Sequence, residues 1–208
     1  MKVNFRSLLH LFLGAFLMLA QPIKAHNVLP QPQSLQTNNE QFVLNTNTVV
    51  ATNLKGEART RIADAVKELF PQVKKQGGAG KKRNVINIKV TGTERDVEQI
   101  ASNKTFQSYQ LNVNKDGVFI VSPTEAGAFY ALQTLVGLQK APNTLQGCKV
   151  VDEPRFNWRG YMIDCSRHYW TPAFIKKQID MMAHFKLNRL HLHMVDGAGW
   201  RIQVDSYP

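Results

Sequence analysis

Only two cysteines, Cys148 and Cys165, occur in the 208 residues. Two thiols cannot build a zinc cluster on their own or staple a fold, and nothing in their spacing demands a bridge. A phosphate-cradling Gly-rich loop, a G-x-S-x-G turn and a C-x-x-C pair are all missing, which removes the chemistries those motifs carry. The apolar run from Leu8 to Ala20 is shorter than the ~20 residues of a spanning helix. Acidic residues are scarce, 15 against 26 basic, giving a formal net charge of +11. What is present is globular in proportion: 43% hydrophobic and 20% charged residues exclude disordered and collagen-like classes.

Residues 1–25 have the pattern of an export signal. Lys2 and Arg6 precede the apolar run, and Ile23-Lys24-Ala25 offers a small residue for cleavage, with a mature start near His26. The chain is expected in the periplasm or outside the cell, with no stable membrane anchor after cleavage; the alternative is an uncleaved anchor. Part of the basic excess is local. Lys74, Lys75, Lys81, Lys82 and Arg83 surround Gly77, Gly78 and Gly80. No aromatic residue is interleaved with them, so the segment reads as a solvated loop and no nucleic-acid partner is expected.

Residues 26–151 read as an α+β domain, an antiparallel sheet with two helices. Phe42 to Leu44 and Thr48 to Ala51 suit short strands. Glu57 to Phe70 carries Ile62, Val66, Leu69 and Phe70 on one helical face, and Pro71 stops it. Ile86, Ile88 and Val90 alternate with Asn87 and Lys89 as in a strand. Tyr109 to Val113 and Val118 to Ser122 form a hairpin about Asn114-Lys115-Asp116-Gly117. Glu125 to Lys140 is helical, burying Phe129, Leu132, Leu135 and Val136.

From residue 152 to 208 the pattern is α/β. Tyr161 to Cys165 and Arg189 to Val195 are strands. Between them Thr171-Pro172 starts a helix whose apolar face is Phe174, Ile175, Ile179, Met182 and Phe185. One such β-α-β unit implies parallel strands. In parallel folds functional residues gather at strand ends, which brings Arg167 and Asp196 side by side. Arg167 offers a planar fork of donors suited to vicinal hydroxyls or carboxylates; Asp196 is an acceptor that can orient a histidine or a substrate amide. The plainer alternative pairs Arg167 with Asp196 or with Asp164. His191 and His193 share one face, but no further ligand is apparent, so no metal and no cofactor are expected. Cys165 beside His168 is a weak nucleophile pair, because neighbouring strand residues face opposite sides.

The run from Glu153-Pro154-Arg155-Phe156-Asn157-Trp158-Arg159-Gly160 to Asp164-Cys165-Ser166-Arg167-His168-Tyr169 resembles the opening of the catalytic barrel in glycoside hydrolase family 20, the β-N-acetylhexosaminidases. So do Lys186-Leu187-Asn188-Arg189-Leu190-His191-Leu192-His193-Met194-Val195-Asp196 and Gly199-Trp200-Arg201. Val28-Leu29-Pro30-Gln31-Pro32 and Gly127-Ala128-Phe129-Tyr130 resemble that family's small N-terminal domain. The resemblance implies an accessory domain followed by the first β-α-β of a truncated (β/α)8 barrel. It implies exo-acting, retaining hydrolysis of glycans that end in N-acetylglucosamine or N-acetylgalactosamine, with the sugar's own acetamide as nucleophile. Arg167 then binds the 3- and 4-hydroxyls, and Asp196 supports the catalytic acid through a buried relay with a histidine and a glutamate. The catalytic Asp-Glu pair is expected beyond Pro208, so the 208 residues alone are expected to be inactive. Many members have two aspartates where this chain has Asp196-Gly197, which leaves no second aspartate to assign. Two other readings compete: a non-catalytic exported carbohydrate-binding module, and metal-dependent chemistry at His191 and His193.

Overall fold

The computed structural model describes residues 28–77, 83–93 and 96–206; the expected export signal lies outside them, as does the centre of the basic loop. The first unit is built on one eight-stranded sheet. Its strands are β1 (Ser34–Val43), β2 (Val49–Thr52), β3 (Lys75–Gly77), β4 (Val85–Val90), β5 (Tyr109–Asn114), β6 (Gly117–Ser122), β7 (Gln139–Ala141) and β8 (Thr144–Asp152). The spatial order is β1-β8-β5-β6-β4-β2-β3, with β7 pairing on β8. β5 and β6 form the expected hairpin, Asn114 opposite Gly117. Gly117 has φ +158°, and a Cβ there would strike the Val85 carbonyl oxygen.

The sheet is mixed rather than antiparallel. β1, β5, β7 and β8 pair antiparallel, whereas β3 on β2, β2 on β4 and β4 on β6 are parallel. For β2 and β3 the cause is the crossover: helix α1 (Gly56–Leu69) lies between them, so the chain re-enters the sheet in the direction it left. Ile62, Val66 and Phe70 of this segment are buried as their spacing predicts, and Ile86 and Ile88 of β4 are wholly buried.

Helix α2 (Val97–Ser102) and a 3₁₀ turn (Lys104–Gln107) precede β5, and neither is apparent in the apolar pattern. Helix α3 (Glu125–Gly137) is shorter than its pattern suggested, because Gln139–Ala141 turns back as β7. Its buried residues run nearly all round: Ala128, Tyr130, Ala131, Leu132, Thr134 and Leu135. A helix buried on every side lies between two layers. One layer is the sheet; the other is the second unit, whose Arg159 and Lys186 touch Tyr130 and Thr134.

That second unit is β9 (Gly160–Asp164), α4 (Pro172–His184) and β10 (Arg189–His193), followed by the small hairpin β11 (Val195–Asp196) and β12 (Gly199–Trp200). β9 and β10 are parallel, as expected of a β-α-β unit, with Gly160 opposite Arg189 and Asp164 opposite His193. Thr171 caps α4 by accepting the Phe174 N–H, with Pro172 in the first turn. Its apolar face is only partly covered: Met182 is buried, but Ile179 is 46% and Phe185 38% exposed. β8 runs through Asp152, the residue expected to begin the second unit.

Candidate active site

The site lies where β9 and β10 end. Asp164 closes β9 and is the cross-strand neighbour of His193, which closes β10. Asp164 Oδ1 accepts the backbone N–H of Ser166 and of Arg167, both at 3.0 Å. That double bond to its own following residues is an Asx turn. It folds the loop back on the strand end and brings the Arg167 side chain over the carboxylate that formed it. Arg167 Nε then lies 2.8 Å from Asp164 Oδ2 and 3.2 Å from Asp196 Oδ2.

Asp196 comes from β11, whose two-residue turn through Gly197 and Ala198 leads to β12. Its carboxylate is 3.5 Å from His193 Nε2, and the same nitrogen is 2.9 Å from the Val195 carbonyl oxygen. Arg167 is 63% exposed and Asp196 43%, so both face solvent among the described residues. Among the described residues the Asp196 carboxylate lies between Arg167 and His193. The backbone N–H of Arg167 holds the Asp164 carboxyl below the usual aspartate range, and the Arg167 charge and His193 add to this.

A second set of contacts fixes the loop. Ser166 Oγ donates to the Gly199 carbonyl at 2.7 Å, Arg201 Nε to the Cys165 carbonyl at 3.1 Å and Trp170 Nε1 to the Asp164 carbonyl at 3.1 Å. The Trp170 ring stacks on Phe174 of α4 at 4.2 Å. These supports were not singled out by spacing, because a residue that holds a loop through its backbone carbonyls leaves no periodic trace. His168 lies against Trp170, 4.4 Å between ring centroids. Cys148 and Cys165 are both buried free thiols. Among the described residues no three His, Cys, Asp or Glu side chains converge as a metal site would require.

The chain shows clear similarity to known proteins over both units. The model of the glycosyl hydrolase family 20 catalytic domain matches residues 156–208, and that of the family's domain 2 matches residues 25–153. A β-hexosaminidase of Porphyromonas gingivalis is 33% identical over 89% of this chain and 24% of its own length. The N,N'-diacetylchitobiase of Vibrio harveyi is 38% identical over 49% of this chain and 12% of its own. Among solved structures, an N-acetyl-β-hexosaminidase of Streptomyces plicatus superposes with a TM-score of 0.72 at 27% identity, over 91% of this chain and 38% of that one. A family 20 exo-β-N-acetylglucosaminidase of Vibrio harveyi, in complex with N-acetylglucosamine, gives a TM-score of 0.70 at 26% identity, over 90% of this chain and 29% of its own. This chain spans about a quarter or less of the length of these curated relatives.

Proposed function

Because the chain belongs to glycosyl hydrolase family 20, we propose that it supplies the sugar-recognising side of an exo-acting, retaining β-N-acetylhexosaminidase. In this reading the segment that follows β8 is the first β-α-β of a (β/α)8 barrel, and the unit that ends with β8 at Asp152 is its accessory domain. Arg167 takes the vicinal 3- and 4-hydroxyls of a terminal N-acetylhexosamine, for which a forked guanidinium is suited. Asp196 stands behind it as an acceptor in a relay toward the catalytic acid. The sugar's acetamide oxygen serves as nucleophile.

What carries the reading is one placement: an exposed Arg167 beside Asp196 at a shared strand end, inside the span that the catalytic-domain model matches. A proton donor needs a raised pKa, and Asp164, the nearest carboxyl to Arg167, is held low. The reading therefore assigns Asp164 no acid role and gives proton donation to the Asp-Glu pair that the resemblance implies. The basic and apolar pattern of residues 1–25 supports export of the protein to the periplasm or beyond.

Titration of the purified 208-residue chain with N-acetylglucosamine, followed by calorimetry or NMR, tests this. Binding is expected, and Arg167→Ala is expected to weaken it by about tenfold or more, as for loss of a charge-assisted contact. The same chain is expected not to hydrolyse an aryl N-acetyl-β-glucosaminide. Equal binding by wild type and Arg167→Ala would sink the assignment of Arg167, and robust hydrolysis would sink the division of labour.

A further inference from the structure

Two side chains of the second unit reach back into the first. Both start at the end of the β9–β10 pair remote from Arg167. Arg159 immediately precedes β9, and Lys186 sits in the short link between α4 and β10.

Lys186 is 5% exposed and has the left-handed backbone conformation, φ +58°. Its Nζ donates to Thr134 Oγ1 at 2.7 Å, to Tyr109 Oη at 2.8 Å and to Asp152 Oδ2 at 3.2 Å. Those acceptors come from α3, β5 and β8, so all three ammonium protons are used on three elements of the first unit. Tyr109 Oη in turn donates to Asp152 Oδ2 at 2.7 Å.

Arg159 extends the clamp. Its Nε donates to the Lys186 carbonyl at 2.7 Å, and its Nη2 to Gln107 Oε1 at 2.7 Å and Tyr130 Oη at 3.1 Å. The backbone N–H of Arg159 donates to Asn188 Oδ1 at 2.9 Å, and the Asn188 N–H returns to the Arg159 carbonyl at 2.9 Å. The starts of the two strands are thus tied to each other and to α3, β5 and β8 at once.

This matters because two paired strands are marginal alone, and a slip of one residue turns every side chain to the other face. An apolar contact between the units would hold them together without fixing that register. A buried ion pair is weak evidence for stability, and its better-supported use is to select one arrangement among several. A lysine with three defined acceptors has one place to sit.

We propose that Lys186 and Arg159 are positioning residues for the Arg167 site: through them the first unit fixes the register of β9 on β10 and so sets the distance between Arg167 and Asp196. The consequence for sugar binding rests on the role given to Arg167 above; the register claim does not.

The test uses the full 208-residue chain and amide hydrogen exchange, with β4 and β6 as internal reference. Lys186→Met is expected to speed exchange in β9 and β10 by about tenfold or more while β4 and β6 keep theirs. The side-chain Nε–H signal of Arg167 is expected to shift in the same variant, though Lys186 does not touch it. Arg159→Lys keeps the charge but loses the fork, and the same pattern is expected there should Lys186→Met fail to fold. Unchanged exchange in β9 and β10 would overturn the proposal, as would equal loosening of all four strands, which marks a general role in stability. N-acetylglucosamine affinity is read alongside. If the wild-type chain does not bind the sugar, the functional reading falls while the exchange comparison still judges the register claim.

Discussion

Arg167 and Asp196 meet at the strand ends, Nε 3.2 Å from Oδ2, and Asp164 Oδ2 lies 2.8 Å from the same nitrogen. The guanidinium is oriented by two carboxylates before any ligand arrives. A side chain so held loses less freedom on binding than a free arginine would, which is the physical meaning of preorganisation. The closest approach to both carboxylates is through Nε, and a guanidinium has five N–H donors, so the proposed hydroxyl contacts fall to its outer nitrogens.

Asp164 should titrate below the ordinary value of 3.8, because the Arg167 backbone N–H and then its charge favour the carboxylate. A carboxyl lowered in the folded state adds stability above the unfolded value, and that stability disappears as pH falls through the lowered one. Acid unfolding of Asp164→Asn should therefore show a shallower loss below pH 4 than wild type, and carboxyl carbon shifts should report the low titration directly. A normal titration at Asp164 would contradict the Asx-turn account of the loop.

Cys148 is expected to be chemically silent. Burial pushes its thiol from 9.0 up to about 11, and it is wholly inaccessible in β8. The thiolate is the reactive form, so a chromogenic disulfide reagent at pH 8 should label Cys148 only after unfolding. Its raised pKa contributes stability below pH 9 that is lost as pH climbs toward 11, on the order of 3 kcal/mol. Cys165→Ala isolates Cys148 for the labelling, and labelling of that native variant within minutes is the contrary result.

Much of the fold was legible because apolar spacing reports burial. Ile62, Val66 and Phe70 announce α1, and Ile86 and Ile88 announce β4. Thr171 and Pro172 announce α4 through capping chemistry. β8 was not legible, although it pairs with β1, β5 and β7. Gly147 interrupts its alternation, and β1 carries a bulge opposite, between Thr37 and Gln41. A Cβ at Gly147 would strike Asn38 and Glu40, so the glycine serves the bulge rather than a turn. The parallel half of the sheet was hidden for a different reason: strand direction depends on the path of the connections, such as α1 between β2 and β3, and not on any strand's own residues. At the candidate site, the nearness of Arg167 to Asp196 was legible from the strand ends, and the contacts seen are those of the plainer pairing with Asp196 and Asp164. Lys186 and Arg159 were not legible, because each acts on partners far away in sequence, and only the fold brings them together.

Export is open to direct measurement. Expressed with its own N-terminus in a bacterial host, the protein should accumulate outside the cytoplasm with residues 1–25 removed. Intact-mass analysis or N-terminal sequencing should then read His26-Asn27-Val28 at the start. A cytoplasmic product retaining Met1 or starting at Lys2 would remove the argument from residues 1–25.

Lys186 makes an alkaline prediction of the opposite sign to Cys148. Burial disfavours the ammonium and outweighs the attraction of Asp152, so its pKa lies below the ordinary 10.5. Between the lowered value and 10.5 the unfolded chain binds more protons at this residue than the folded one. By linkage, this residue's contribution to stability then rises with pH. Tyr109 counters it above pH 10, because burial and the Asp152 carboxylate keep its hydroxyl protonated in the folded protein after the unfolded chain has released it. Urea unfolding from pH 8 to pH 11 separates the two. Lys186→Met should lose the rising component, so its stability should decline more steeply with pH than that of wild type below pH 10.5. Tyr109→Phe should decline less steeply above pH 10. Parallel curves for wild type and Lys186→Met would mean that the ammonium is as well solvated in the folded protein as in the unfolded chain. The tie from Lys186 to Thr134, Tyr109 and Asp152 would then not be the dry contact that fixes the two units.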